Sequence, residues 1–198
     1  MDALAHIGGA YCLDLVATVR RRFVEPCELL NTPADLVNWF ESAGLWTAEM
    51  QRHSGCSVED LASARRLREA IYEVLRARLA SQPPDQAYLD QINYFAAQPC
   101  LAPQLWISDS VVRTAHEFLE GGNSPASMTL SAVAREAVEI LGTQRFASIK
   151  RCAQDTCSLF FVDDSQGKRR RWCSMGRCGN LAKLAKFRGK GSSEPRDR

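Results

Sequence analysis

Four cysteines near the C-terminal end, Cys152, Cys157, Cys173 and Cys178, constrain the fold of this chain more than any other feature. They form two pairs, each with four residues between its members, separated by a stretch of hairpin length. Four thiolates arranged in this way suit one tetrahedral zinc ion, and a shell of four sulfurs leaves no position open for substrate. The spacing therefore predicts one structural Zn²⁺ rather than a catalytic one. Two disulfides, or four unrelated thiols, would satisfy the same count. Thiols stay reduced inside a cell, which favours the metal reading there. The other cysteines, Cys12, Cys27, Cys56 and Cys100, share no spacing and read as small buried hydrophobes. His6, His53 and His116 show no metal spacing.

Charge divides the chain in the same place. Residues 150–198 hold 13 Lys/Arg against 5 Asp/Glu, whereas the rest of the chain is net acidic. A basic module on an acidic body suggests a polyanionic partner, with nucleic acid before a membrane surface. No run of apolar residues reaches the roughly 20 needed to span a bilayer. The first residues lack the basic and apolar regions of a signal peptide, so a cytoplasmic protein with no membrane association is expected.

Helical periodicity dominates the first 145 residues. The stretch from His6 to Arg22 fits a short helix or an alternating strand about equally well, and the helix is the form expected. Thr32-Pro33 caps a helix whose apolar face is Leu36, Val37 and Phe40, and Gly44 stops it. Ser57 and Asp60 open a longer helix from Val58 to about Ala80, with Leu61, Ala64, Leu67, Ile71, Val74 and Leu75 recurring at its period. Asp85 caps another helix, with Leu89, Ile92, Phe95 and Ala96 inward. Leu105-Trp106-Ile107 reads as a strand and 121–125 as a loop. A last long helix carries Leu130, Val133, Ala134, Ala137, Val138 and Leu141 to Gly142. The expected fold is mainly α: a helical N-terminal domain with minor β over 1–145, a zinc-binding β-hairpin–helix module over 146–190, and a disordered tail over 191–198.

Within the module, Ser158–Val162 reads as a strand, 163–167 as a turn and Lys168–Trp172 as the return strand. Cys178 would open a helix in which Leu181 and Leu184 pack, while Lys183, Lys186 and Lys190 share the opposite face. Gly179 would let the backbone approach the neighbouring sulfur. Lys168, Arg169, Arg170, Arg171, Arg177, Lys183, Lys186 and Lys190 are the candidate nucleic-acid contacts, with Arg170, Arg177 and Lys183 as candidate base readers. Trp172 reads as packing against the metal knuckle.

Arg170-Arg171-Trp172-Cys173-Ser174-Met175, followed by Cys178-Gly179-Asn180, resembles the CGNR zinc-finger family. The Cys-x₄-Cys, the apolar hairpin with an Asp turn and the basic helix after the last Cys are similar to it as well. Cys12–Thr18 and Glu28–Pro33 resemble the opening of the ABATE domain that usually precedes this finger. The resemblance implies a stress-induced transcription regulator that binds DNA through the finger, with a ligand-sensing N-terminal domain whose effector is unknown. Leu181 stands where the family's naming motif has Arg, and Ala17 where Asn is expected. A homodimer would suit such a regulator, although no heptad pattern demands one.

Other functions fit the same residues less well. An RNA- or ribosome-associated module, or a protein-interaction finger, would use the same basic surface. An enzyme is not expected, because the N-terminal part holds no Ser/His/Asp set, phosphate-binding loop or paired carboxylates, and Asp14 and Glu28 read as structural. A redox role for the zinc thiolates is a further alternative.

Overall fold

A computed structural model describes residues 6–53, 55–108, 110–117 and 124–190. The elements run α1 (Tyr11–Val16), β1 (Val19–Arg20), β2 (Cys27–Glu28), α2 (Pro33–Ser42), α3 (Ala48–His53), α4 (Val58–Leu79), α5 (Gln86–Ala96), β3 (Ala102–Ser108), β4 (Val111–Glu117), α6 (Pro125–Gly142), β5 (Ile149–Arg151), β6 (Phe160–Val162) and α7 (Asn180–Lys190). The mainly helical expectation holds, with three two-stranded antiparallel sheets β1–β2, β3–β4 and β5–β6. The expected tail over 191–198 and most of the loop over 121–125 lie outside the described residues.

Local chemistry explains the helix starts. Thr32 and Asp35 form a reciprocal capping box on α2, and Ser57 with Asp60 does the same on α4. Each pair satisfies two backbone amides that a helix leaves without partners. The Asp85 carboxylate accepts from the amide of Ala87 to start α5. Gly44, at φ +70°, takes the left-handed conformation that ends α2.

Helix α4 is the spine, packed against α1, α2, α5 and α6. Fully buried alanines, Ala64 and Ala70 on α4 with Ala134 and Ala137 on α6, allow close approach. Leu67, Ile71, Leu36, Trp39 and Phe40 fill the space between. Truncating one such leucine costs about 2–5 kcal/mol.

The segment His6–Arg22 is a one-and-a-half-turn helix followed by the short strand β1, so it holds both forms that its pattern allowed. Buried Arg68 on α4 ties that strand pair to the body. Its Nη1 and Nη2 donate to the two carboxylate oxygens of Glu28 at 2.7 Å each, Nη1 also reaches Thr18 Oγ1 at 3.1 Å, and Nε donates to Glu69 at 2.8 Å. Arg22 adds a bond of 2.6 Å to Glu69 and lies over the Tyr72 ring. Asp14 accepts from the amide of Gly8 at 2.8 Å. Asp14 and Glu28 are thus structural acids.

Several features depart from the pattern read in the sequence. Strand β3 has a partner, β4, in register Leu105 to Thr114 and Ile107 to Val112. Among the other cysteines only Cys12 is buried; Cys56 and Cys100 are half-buried and Cys27, on the narrow β1–β2 ladder, is exposed.

Candidate metal centre and basic surface

The metal site is built from the two ends of one small module. Strand β6 pairs with β5, with Ile149 opposite Val162 and Arg151 opposite Phe160. This corrects the expected hairpin: the partner of the apolar run lies before Cys152, and residues 168–172 form no strand. The reason is Asp163, a fully buried carboxylate. It accepts from Lys150 Nζ at 2.6 Å, Ser165 N at 3.0 Å and Arg170 N at 3.1 Å, and so rolls residues 163–170 into a closed loop. Burial alone would raise this acid, yet the Lys150 and Ser165 bonds hold it well below the usual carboxylate range. Lys168 sits inside the loop at φ +51°, its Nζ donating to Asp163 O at 2.6 Å and Ser148 Oγ at 3.1 Å.

Cys152 follows β5, and the amide of Cys157 closes a turn back to Gln154 O at 2.9 Å. Cys173 donates its amide to Cys152 Sγ at 3.4 Å, which brings the second pair onto the first. A wide turn of π type, Met175–Gly179, carries Cys178 into α7. The four sulfurs all lie within 4.8 Å of one another. The Cys157–Cys173 separation is 3.8 Å and the Cys173–Cys178 separation 3.7 Å. A tetrahedral ion with Zn–S bonds of about 2.3 Å spaces its sulfurs by about 3.8 Å. The donor set therefore fits one zinc.

The protonation chemistry fits as well. Hydrogen bonds from Cys157 and Cys173 pull the Cys152 thiol down to about 2, while the bond to Cys152 pushes Cys157 up to about 12. A divalent cation at their centre would stabilise all four as thiolates.

The sulfurs sit in their own apolar cluster of Ala17, Leu159, Phe161 and the cysteines, with Ile7 and Trp172 packed against it. Ala17, from the N-terminal part, thus packs on the metal knuckle. Trp172 packs there as its sequence position suggested, and Arg171 stacks on its outer face at 4.8 Å. The close neighbour of Gly179 is not a ligand sulfur: a Cβ there would come within 2.9 Å of Met175 Sδ.

Residues 9–144 match the ABATE family, described as "Putative stress-induced transcription regulator", and residues 148–190 match the CGNR zinc finger. The chain belongs to the ABATE family. Both resemblances read from the sequence are borne out, and the CGNR finger with its four cysteines takes one structural zinc. No curated protein matches the chain. No helix among the described residues is long and apolar enough to cross a membrane.

The basic candidates of the CGNR finger separate into two groups. Arg170 is half-buried: its Nε donates to Trp172 O at 3.0 Å, Nη1 to Val162 O at 3.4 Å and Nη2 to Cys173 O, and its guanidinium covers Phe161 at 4.4 Å. Like Lys168, it is a brace within the finger rather than a base reader. Lys168 is exposed, but its ammonium is taken up by Asp163 O and Ser148 Oγ, whereas Arg169, Arg171, Arg177 and Lys183 are exposed without such bonds. Lys186 and Lys190 continue along α7, their side chains outside the described set. The packing expected of Leu181 and Leu184 does not occur. Each is 53 % exposed, beside Met175 at 54 %, and Leu181 borders an open cavity shared with Arg20, Arg21 and Cys27 of the ABATE part. Sequence reasoning also missed Lys150 and Asp163 as organisers, although the Asp in the turn was visible.

Proposed function

We propose that this protein is a transcription regulator whose zinc-braced CGNR finger binds duplex DNA through phosphate contacts. The observation that carries the reading is the set of exposed cations Arg169, Arg171, Arg177 and Lys183 on the finger, none of which braces its backbone as Arg170 does. Lys186 and Lys190 follow further along α7. Arginine clamps phosphate oxygens bidentately and lysine acts as a point charge. Arg177 and Lys183 remain the candidate base readers. The zinc acts in folding rather than in catalysis, since a four-sulfur shell leaves it no open position.

The exposed Met175, Leu181 and Leu184 favour a second reading, a finger that docks on another protein. Zinc content, measured together with salt-dependent binding to random-sequence duplex DNA and to structured RNA, separates the readings. DNA binding whose salt slope falls by about 3 in the Arg169→Ala/Arg171→Ala/Lys183→Ala variant supports the regulator. Tighter binding to RNA favours an RNA module. Retained zinc with no nucleic-acid binding moves the function to protein docking.

A further inference from the structure

Where the C-terminal half of α4 meets the first strands of the finger lies a cavity of about 300 Å³, at the low end of the range for small-molecule sites. The ABATE part lines it with Phe23, Tyr72, Arg76 and Leu79, and the finger with Arg151 and Phe160. No acidic residue lines it. Two of its groups are left without partners. Tyr72 is only 6 % exposed, yet its hydroxyl makes no hydrogen bond to a described residue and is not sealed by its neighbours, so it opens on the cavity. A buried tyrosine hydroxyl ordinarily finds a partner. Arg151, at the end of β5, makes no ion pair or side-chain hydrogen bond among the described residues; its guanidinium lies over the Phe23 ring at 5.1 Å. The neighbouring arginines carry their own counter-charges. Arg76 is bound to Glu73 at 2.7 Å, and Arg22, over the Tyr72 ring, to Glu69 at 2.6 Å. With both pairs counted as neutral, Arg151 leaves one positive charge on the cavity wall.

We propose that this cavity binds a small aromatic carboxylate. The carboxylate would accept from the Arg151 guanidinium and the Tyr72 hydroxyl, the two donors left without hydrogen-bond partners. The ring would lie against Phe23 and Leu79, which are 48 % and 37 % exposed without it. One surplus charge suits a monoanion, whereas a phosphate dianion would bring a second charge into a partly apolar cavity with no cation to match it. Arg151 and Phe160 stand on strands of the finger and the other walls on the ABATE part, so the ligand would touch both at once. The inference does not depend on what the finger binds elsewhere.

The test is calorimetric titration of the zinc-loaded full chain, at low chloride, with benzoate, benzamide, acetate and phenyl phosphate. Benzoate binds one per chain. Benzamide, which lacks the charge, and acetate, which lacks the ring, each bind at least about tenfold more weakly, and phenyl phosphate binds no more tightly than benzoate. Tyr72→Phe keeps the ring and removes only the hydroxyl, and Arg151→Ala removes the cation. Each weakens benzoate by about tenfold or more with zinc content and thermal midpoint unchanged, whereas Arg169→Ala, outside the cavity, leaves it unaltered. No binding of benzoate at millimolar concentration, equal binding of benzamide or acetate, tighter binding of phenyl phosphate, or an unaffected Tyr72→Phe variant would each overturn the proposal.

Discussion

Replacing Arg170 by alanine separates a brace from a nucleic-acid contact. Its guanidinium donates to the carbonyls of Val162, Trp172 and Cys173 and covers the ring of Phe161, which belongs to the zinc cluster. A hydrogen bond from a charged donor contributes about 1.5–3 kcal/mol, and a cation over a partly desolvated ring about 1 kcal/mol more. These contributions are not additive, and water reaches part of the half-buried side chain. A loss of about 3 kcal/mol is therefore expected. Because folding of the finger and metal binding are one equilibrium, that loss appears as zinc affinity lowered by about two orders of magnitude. Competition with a chromophoric chelator reads it directly, and Arg171→Ala serves as the control with unchanged zinc affinity. Should Arg170→Ala keep wild-type zinc affinity while losing DNA binding, the brace argument is wrong and the residue belongs to the contact surface.

Three other outcomes are expected. Burial by itself would raise Glu28, but the bonds from Arg68 and Leu30 N hold its carboxyl below the ordinary value, so its stabilisation is present above the unfolded pKa of about 4.3 and fades as pH falls through the folded one. Glu28→Gln should cost about 2 kcal/mol near neutral pH and progressively less as pH falls below about 4.3 in denaturant titrations, and a cost that does not change with pH would remove the linkage. Leu184→Glu should change stability by no more than about 0.5 kcal/mol, since the side chain is already half in water; a loss several times larger would show that it packs. Phe161→Ala, which empties the zinc cluster, should cost about 3–5 kcal/mol and release zinc at lower chelator concentration, with unchanged release counting against a shared folding unit.

The features legible in the sequence are those whose cause is local. Thr32 with Asp35 and Ser57 with Asp60 close over three residues, so their spacing alone announces the helix start. The two Cys pairs are legible for the same reason. Pairing between distant segments is different. Ile149–Arg151 is too short to show a strand pattern, and its selection as the partner of β6 depends on Lys150 reaching Asp163. Basic residues are equally ambiguous: Arg170 and Arg171 are neighbours of one type, yet one faces carbonyls and the other solvent. Helical phase puts Leu181 and Leu184 on one face, but phase alone does not bury it, and both remain half exposed.

Strand β6 carries two adjacent phenylalanines into different interiors. Phe160 joins the ABATE core, where it meets Tyr72 at 5.8 Å, and Phe161 joins the sulfur cluster. The alternation of a strand thus acts as a rigid coupling where a linker would otherwise act as a swivel. The direction in which the basic surface points is set by the body, as a key's teeth are set by its shaft. If two copies associate through their bodies, the distance and angle between their fingers follow from that association.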